Sequence, residues 1–199
     1  MVKALCIVAH PDDETIWMGG TILEHKDWDW TIVSLCRKED PDRSPKFIGV
    51  CDFYGADGII ADLDDEKLEP LSIEEVAEKI KSILLEKEYD YIFTHGQNGE
   101  YGHIRHSEIH NAVNLLLENG GLKCRSIYYF DYIPGDMPSP HDVNLKIPIP
   151  NMEADMCVLL DEEKYEEKIK LITEFYGFEQ NTFETLSCNK NEAFNISLI

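Results

Sequence analysis

A histidine and three acidic residues follow the first apolar run of the sequence. Residues 4–8 are Ala-Leu-Cys-Ile-Val, which is typical of a buried strand, and His10-Pro11-Asp12-Asp13-Glu14 comes almost directly after them. Imidazole and carboxylate groups bind metal ions and transfer protons. Open α/β sheets bind ligands at the carboxyl ends of their strands, so this cluster indicates an active site.

A second cluster follows a later apolar run. Residues 91–93, Tyr-Ile-Phe, are predicted to form a strand, and segment 94–106 after it ends in His106. The carboxyl ends of parallel strands lie at one edge of a sheet, so the two clusters can meet. His10, Asp13 and His106 would then supply two imidazoles and one carboxylate. That set, with a fourth position open to water, is typical of catalytic zinc.

The neighbours of these candidate ligands have the chemistry of a hydrolase. Asp12 is adjacent to Asp13 and can face the attacking water as general base. His103 lies three residues before His106, on the same face of a helical first turn. If protonated, His103 could stabilise the oxyanion that forms when water attacks an acyl carbon, and the hydroxyl of Tyr101 could donate to the same oxygen.

The elements that must position these residues alternate along the chain. Apolar runs predict strands at residues 4–9, 30–35, 58–61, 89–94, 125–132 and 156–160, and amphipathic stretches predict helices at 15–25, 72–88, 107–118 and 161–176. This alternation predicts one Rossmann-like α/β domain over residues 1–199, with three layers around a mostly parallel sheet. Residues 134–151 hold five of the nine prolines and are predicted to be an irregular surface segment that includes His141.

Composition excludes several classes of partner. The net charge of -21 argues against nucleic acid and anionic membranes, and an anionic substrate would need local basic groups. No apolar run approaches the ~20 residues needed to span a bilayer. The six cysteines are scattered, and the chain opens directly into a strand, so we expect reduced thiols and a cytoplasmic location. A homo-oligomer is compatible with the sequence.

The two clusters resemble the signature motifs of the LmbE-like/PIG-L family. His10-Pro11-Asp12-Asp13-Glu14 and Tyr101-Gly102-His103-Ile104-Arg105-His106 are similar to them in order and spacing, and Asn191-Glu192-Ala193-Phe194 is similar to the C-terminal end of the family. The resemblance implies a zinc-dependent deacetylase that acts on N-acetylglucosamine-containing substrates. It implies that His10, Asp13 and His106 are the zinc ligands and that Asp12 is the catalytic base. It also implies that His103 and Tyr101 polarise the amide carbonyl.

The second motif departs from the family pattern. Ile104 and Arg105 stand where family members commonly have Pro and Asp, so the carboxylate that would orient His103 is missing. Either Glu100 or Asp131 takes that role, or Arg105 binds substrate. Arg43, after the second predicted strand, is the other candidate substrate-binding residue, for a hydroxyl or an anionic group.

These observations predict hydrolytic removal of an N-acetyl group from a sugar substrate, with Zn²⁺ as cofactor and Fe²⁺ as the alternative. Two other functions stay open. The same metal chemistry could act on a non-sugar amide. Alternatively, the chain could be a metal-dependent sugar-binding module in which Arg105 has weakened catalysis.

Overall fold

The computed structural model describes residues 1–140 and 142–199, so His141 lies outside the described residues. The strands are β1 (Lys3–Val8), β2 (Asp29–Cys36), β3 (Asp57–Leu63), β4 (Tyr91–Thr94), β5 (Ser126–Phe130), β6 (Tyr132–Pro138), β7 (Lys146–Pro150), β8 (Met156–Leu159) and β9 (Asn191–Leu198). The helices are α1 (Asp13–Glu24), α2 (Arg43–Tyr54), α3 (Ile73–Ile83), α4 (Gly99–Gly102), α5 (Ile104–Glu118), α6 (Glu162–Lys170) and α7 (Phe183–Ser187), and a π-helical turn (Leu171–Phe175) continues α6.

The main sheet has its crevice between β1 and β4. Within the described residues it contains seven strands in the order β3-β2-β1-β4-β5-β9-β8. The first five are parallel, and β9 runs antiparallel to both of its neighbours, β5 and β8. From β1 the chain moves outward through β2 and β3 and then returns to β4 on the other side. The loops after β1 and β4 therefore diverge and leave an open crevice. The predicted α/β class with a mostly parallel sheet is confirmed.

Helices cover both faces of this sheet. In β1 the side chains of Cys6 and Val8 belong to the core beneath α1 and α2, whereas Leu5 and Ile7 belong to the core beneath α3 and α5. All four side chains are fully buried. A strand that is covered on both sides has no solvent-facing positions, so it forms a continuous apolar run.

Several segments differ from the prediction. Residues 134–151 are not irregular throughout, because β6 and β7 pair as an antiparallel ribbon. Prolines are tolerated in a ribbon of two edge strands, where half of the backbone N–H groups face away from the partner. Helices α2, α4 and α7 and strand β9 were not predicted. The signal for α2 was present, since Phe47, Val50, Cys51 and Tyr54 are buried at helical spacing.

A buried ionic network fixes helix α1, which carries Asp13 in its first turn. The helix is kinked at Met18, where φ is -147°. Just beyond the kink, the carboxylate of Glu192 on β9 accepts the backbone N–H groups of Gly20 at 2.7 Å and Thr21 at 2.8 Å. Lys168 on α6 approaches the same carboxylate, with Nζ 2.6 Å from Oε1. Both charged side chains are fully buried, so each depends on the other.

We therefore expect Lys168→Ala to lower the free energy of unfolding by about 3–5 kcal/mol, because it leaves the Glu192 carboxylate buried without its cation. Urea denaturation measures this value. The matched control is Lys81→Ala, which removes an exposed 2.7 Å pair with Glu78 and should cost less than about 1 kcal/mol. Equal costs for the two variants would contradict this account of α1.

Candidate metal centre

The structure brings the two sequence clusters together at the crevice. His10 follows β1 and segment 95–106 follows β4, and these two strands are hydrogen-bonded neighbours. Although 96 positions separate them in sequence, His106 Nε2 lies 3.3 Å from His10 Nδ1. The meeting of the motifs is thus a direct result of the strand order.

His10, Asp13 and His106 present three donor atoms in a small triangle. Asp13 Oδ2 is 3.2 Å from His10 Nδ1 and 3.4 Å from His106 Nε2, and the two nitrogens are 3.3 Å apart. Tetrahedral zinc with bonds of about 2.0–2.1 Å places its ligand atoms about 3.3 Å from one another. The triangle therefore has the size of one face of a tetrahedral metal site.

A carboxylate orients the imidazole of His10. Asp65, which follows β3, places Oδ1 3.0 Å from His10 Nε2 and binds Arg37 through its other oxygen. With Nε2–H donating to Asp65, the lone pair of Nδ1 is free to face the triangle. Burial lowers the pKa of His10, but Asp13 and Asp65 outweigh it and raise the pKa to about 10. This position therefore attracts positive charge.

Glu100 sets the orientation of two further imidazoles. Its Oε2 accepts Nδ1–H of His106 at 2.5 Å and Nδ1–H of His95 at 2.8 Å. The Nε2 lone pair of His106 is then left to face the triangle. The Nε2 lone pair of His95 accepts the backbone N–H of Ala9 at 2.9 Å, which joins the end of β4 to the end of β1.

Three further sets of donor atoms overlap this triangle, and in two of them an atom is already engaged. His95 is close to Asp13 and His106, yet its Nε2 accepts the N–H of Ala9. Cys36 and Asp65 lie near His10, but His10 Nε2 already donates to Asp65, and burial raises the pKa of the Cys36 thiol far above its usual value. In the third set His103 joins His10 and His106, and its buried Nδ1 has no hydrogen-bond partner among the described residues. The triangle of His10, Asp13 and His106 differs from that set in including a carboxylate.

The charges at the triangle suit a divalent cation. Asp13 and Glu100 are both buried, and Trp17 Nε1–H donates to Asp13 Oδ1 at 2.9 Å. Burial alone would raise the pKa of Asp13, but His106 and His10 hold it well below its usual value. The pKa of Glu100 is lowered to about 2, because His95 and His106 outweigh burial. Two buried carboxylates need positive charge beside them, from imidazolium groups or from a metal ion.

Asp12 faces the pocket from a strained backbone. Its φ of 120° is uncommon for a residue with a side chain, and Glu14 Oε2 accepts its backbone N–H at 3.1 Å. The backbone carbonyl of Asp12 accepts the first hydrogen bonds of α1. Its side chain does not cap the helix and instead binds Arg43 Nη1 at 2.8 Å. Burial and the charge of Asp13 raise the pKa of Asp12 well above its usual value, although Arg43 lowers it.

His103 and Tyr101 line the same pocket. Burial and the neighbouring imidazoles of His106 and His10 lower the pKa of His103 to about 3, which favours the neutral ring. Within residues 1–140 and 142–199, its buried Nδ1 has no hydrogen-bond partner. Burial raises the pKa of Tyr101 well above its usual value, which keeps its hydroxyl a proton donor.

Arg105 lies outside the pocket, so the expectation that it binds substrate needs correction. It is fully buried, and its guanidinium donates to the carbonyl oxygens of Asp64 and Glu69 and to the carboxylate of Glu108. These contacts tie the loop after β3 to α5. Arg43 does line the pocket.

The two acids considered as partners of His103 lie elsewhere. Glu100 binds His95 and His106, and Asp131 accepts the side-chain amide of Asn151 at 2.9 Å. Sequence analysis also missed Asp65 and Trp17. Trp17 had a signal, because it lies one helical turn after Asp13, whereas Asp65 stands in an acidic run that resembles ordinary surface.

The triangle opens into a cavity of about 360 Å³ whose lining includes His10, Asp13, Trp17, Tyr101 and His103. That size lies at the lower end of the range for small-molecule sites. Two residues of the triangle, His10 and Asp13, thus share one cavity with Asp12 and the aromatic side chains.

Comparison with known proteins now decides the family. The family model described as PIG-L, GlcNAc-PI de-N-acetylase, matches residues 5–117, which is more than half of the chain. The chain belongs to the PIG-L family. All three residues of the donor triangle, with Asp12, Tyr101 and His103, lie inside the matched range.

A curated relative in sequence agrees with this assignment. The chain is 27% identical over 154 residues to 1D-myo-inositol 2-acetamido-2-deoxy-alpha-D-glucopyranoside deacetylase from Corynebacterium diphtheriae, covering 59% of this chain and 53% of that protein. It spans about half the length of the curated relatives it matches.

Two solved structures share the fold of this PIG-L chain. N,N'-diacetylchitobiose deacetylase from Pyrococcus horikoshii superposes with a TM-score of 0.63 at 19% identity, covering 98% of this chain and 84% of that one. The 4-carboxy-2-hydroxymuconate hydratase from Pseudomonas putida superposes with a TM-score of 0.66 at 13% identity, covering 100% and 97%. The fold alone therefore does not select the reaction. In the part of the chain that the structure describes, no helix has both the length and the hydrophobicity of a bilayer-spanning segment.

We expect Glu100→Gln to weaken binding of Zn²⁺ by about 10- to 100-fold, because a neutral amide cannot hold both imidazoles in the required orientation. A competition titration with a chromophoric chelator measures the affinity. Glu118→Gln, at the exposed end of α5, is the matched control and should bind Zn²⁺ like the unmodified chain. Unchanged affinity in Glu100→Gln would contradict the orienting role.

Proposed function

We propose that this chain is a metal-dependent N-deacetylase that hydrolyses the acetamido group of an N-acetylglucosamine-containing substrate. The observation that carries the proposal is the triangle of His10, Asp13 and His106 beside Asp12, inside the segment that matches the PIG-L family. The N-acetyl sugar deacetylases among its relatives support the substrate class.

His10 Nδ1, Asp13 Oδ2 and His106 Nε2 would hold the ion. When bound, Zn²⁺ or Fe²⁺ supplies Lewis acidity, which polarises the acetyl carbonyl and acidifies water. Asp65, Glu100 and Trp17 keep the three donors aimed at one point through their hydrogen bonds. The chain's own contribution to metal affinity is this fixed orientation.

Asp12 moves the proton. As water attacks the acetyl carbon, the Asp12 carboxylate accepts a proton from it, and the carbonyl electrons move to the oxygen. The carbon–nitrogen bond then breaks, the protonated Asp12 returns the proton to the leaving amine, and acetate is released. Arg43 keeps the Asp12 carboxylate in position through its 2.8 Å contact and takes no part in the proton transfer itself.

Tyr101 and His103 stabilise the oxyanion. The hydroxyl of Tyr101 stays protonated, and a neutral His103 can donate from one ring nitrogen. Because His103 is neutral, Asp12 rather than His103 carries the proton to the amine.

We expect Asp12→Asn to lower the rate of acetate release by about 10²–10⁴-fold with its metal retained, because the proton acceptor is lost while the donor triangle remains. His106→Ala should lose both metal and activity. Plasma emission spectroscopy and an acetate assay measure the two properties. The control is His25→Ala, a histidine outside the pocket that stacks on Trp28.

The substrate panel separates this proposal from its rivals. It includes N,N'-diacetylchitobiose, N-acetylglucosamine and N-acetylated amino acids. Hydrolysis of the amino acids alone would favour a non-sugar amide substrate. Metal binding and sugar binding without acetate release would indicate a binding module, and full activity of Asp12→Asn would contradict the assigned base.

A further inference from the structure

The pocket beside the donor triangle has an acidic lining. Carboxyl groups outnumber guanidinium groups there by five to two: Asp12, Asp13, Asp40, Asp65 and Glu184 against Arg37 and Arg43. The chain as a whole has a net charge of -21. A divalent ion at the triangle would offset part of this charge without reversing it. The field at the pocket mouth therefore opposes anions.

Both arginines of the lining are already engaged. Arg37 Nη2 lies 2.6 Å from Asp65 Oδ2, and its Nε lies 3.1 Å from the same oxygen. Arg43 binds Asp12 at 2.8 Å, and its guanidinium lies 4.3 Å from the centre of the Phe178 ring. Among the described residues that line the pocket, neither arginine is left unpaired to receive a phosphate or carboxylate.

Glu184 differs from the other acids of the lining. Asp12, Asp13 and Asp65 have the partners given above, and Asp40 accepts backbone N–H groups at the start of α2. The carboxylate of Glu184, on α7, makes no hydrogen bond or ion pair with any residue that the structure describes. It is half-buried and follows Phe183, whose ring contacts Tyr101 with a centroid separation of 4.8 Å. Glu184 therefore borders the reaction site with its acceptor oxygens unused.

We propose that Glu184 determines specificity by accepting hydrogen bonds from the part of the substrate beyond the acetamido group, so that uncharged or cationic amino sugars are preferred to anionic ones. Sugar hydroxyls and ammonium groups donate to a carboxylate, whereas a phosphate presents only negative oxygens to it. The inference rests on the proposed deacetylase function and narrows its substrate class.

The test compares three substrates of different charge in the metal-loaded protein. They are N,N'-diacetylchitobiose, which is neutral; its singly deacetylated form, which is cationic; and N-acetylglucosamine 6-phosphate, which is anionic. We expect kcat/KM for the phosphate to be at least about tenfold below that for the neutral sugar, with the difference decreasing at high salt. Equal or better hydrolysis of the phosphate would overturn the proposal.

Variants of Glu184 assign the effect to this side chain. Glu184→Gln should reduce the ratio of kcat/KM for the cationic substrate to kcat/KM for the anionic substrate by about three- to fivefold. The change should appear in KM, while kcat stays within about twofold of the unmodified chain. Glu184→Asp should retain most of the preference, because it keeps the charge. Glu163→Gln, which removes an exposed glutamate of α6 outside the pocket, is the control.

Two results would contradict the proposal in different ways. An unchanged preference in folded Glu184→Gln, checked by circular dichroism, would remove Glu184 from substrate recognition and leave the deacetylase function intact. Acetate release from none of the three substrates would instead contradict the proposed function. Calorimetric titration of the metal-loaded protein with the same sugars then still reports whether charge selects the ligand.

Discussion

The candidate centre depends on one carboxylate that accepts from two imidazoles. Glu100 binds Nδ1–H of both His95 and His106, which leaves the opposite nitrogen of each ring unprotonated. The Nε2 lone pair of His106 completes the donor triangle, and the Nε2 lone pair of His95 accepts the backbone N–H of Ala9, immediately before His10. The same group therefore orients a candidate ligand and clamps together the ends of β1 and β4. A neutral or shorter side chain would release both.

The strand order places the residues of this interaction next to one another. Parallel pairing of β1 with β4 places both motifs at one edge, and the outward course of the chain from each strand opens the crevice between them. Helix α1 contributes Asp13, and Glu192 with Lys168 fixes that helix from below its kink. The strained backbone of Asp12 is held in the same way, since buried Glu14 accepts its N–H. Rigidity at the site thus comes from buried carboxyl groups whose oxygens accept hydrogen bonds.

The sequence was informative where chemistry is local and less so where it depends on packing. The apolar run of β1 and the spacing of the two motifs predicted the fold class and the meeting of His10 with His106. The role of Arg105 was misjudged, because its partners in the loop after β3 lie far away in sequence. The orienting role of Asp65 and the neutral state of His103 follow from burial and from neighbours across the crevice, which no spacing rule contains.

The most direct test of the central claim is a crystal structure of the zinc-loaded protein with anomalous scattering recorded at the zinc edge. The account predicts one strong peak bonded to His10 Nδ1, Asp13 Oδ2 and His106 Nε2 at about 2.0–2.1 Å. It also predicts that Glu100 still contacts both His95 and His106. A peak bonded to Cys36 or His95, or no peak at the triangle at full zinc occupancy in solution, would contradict it.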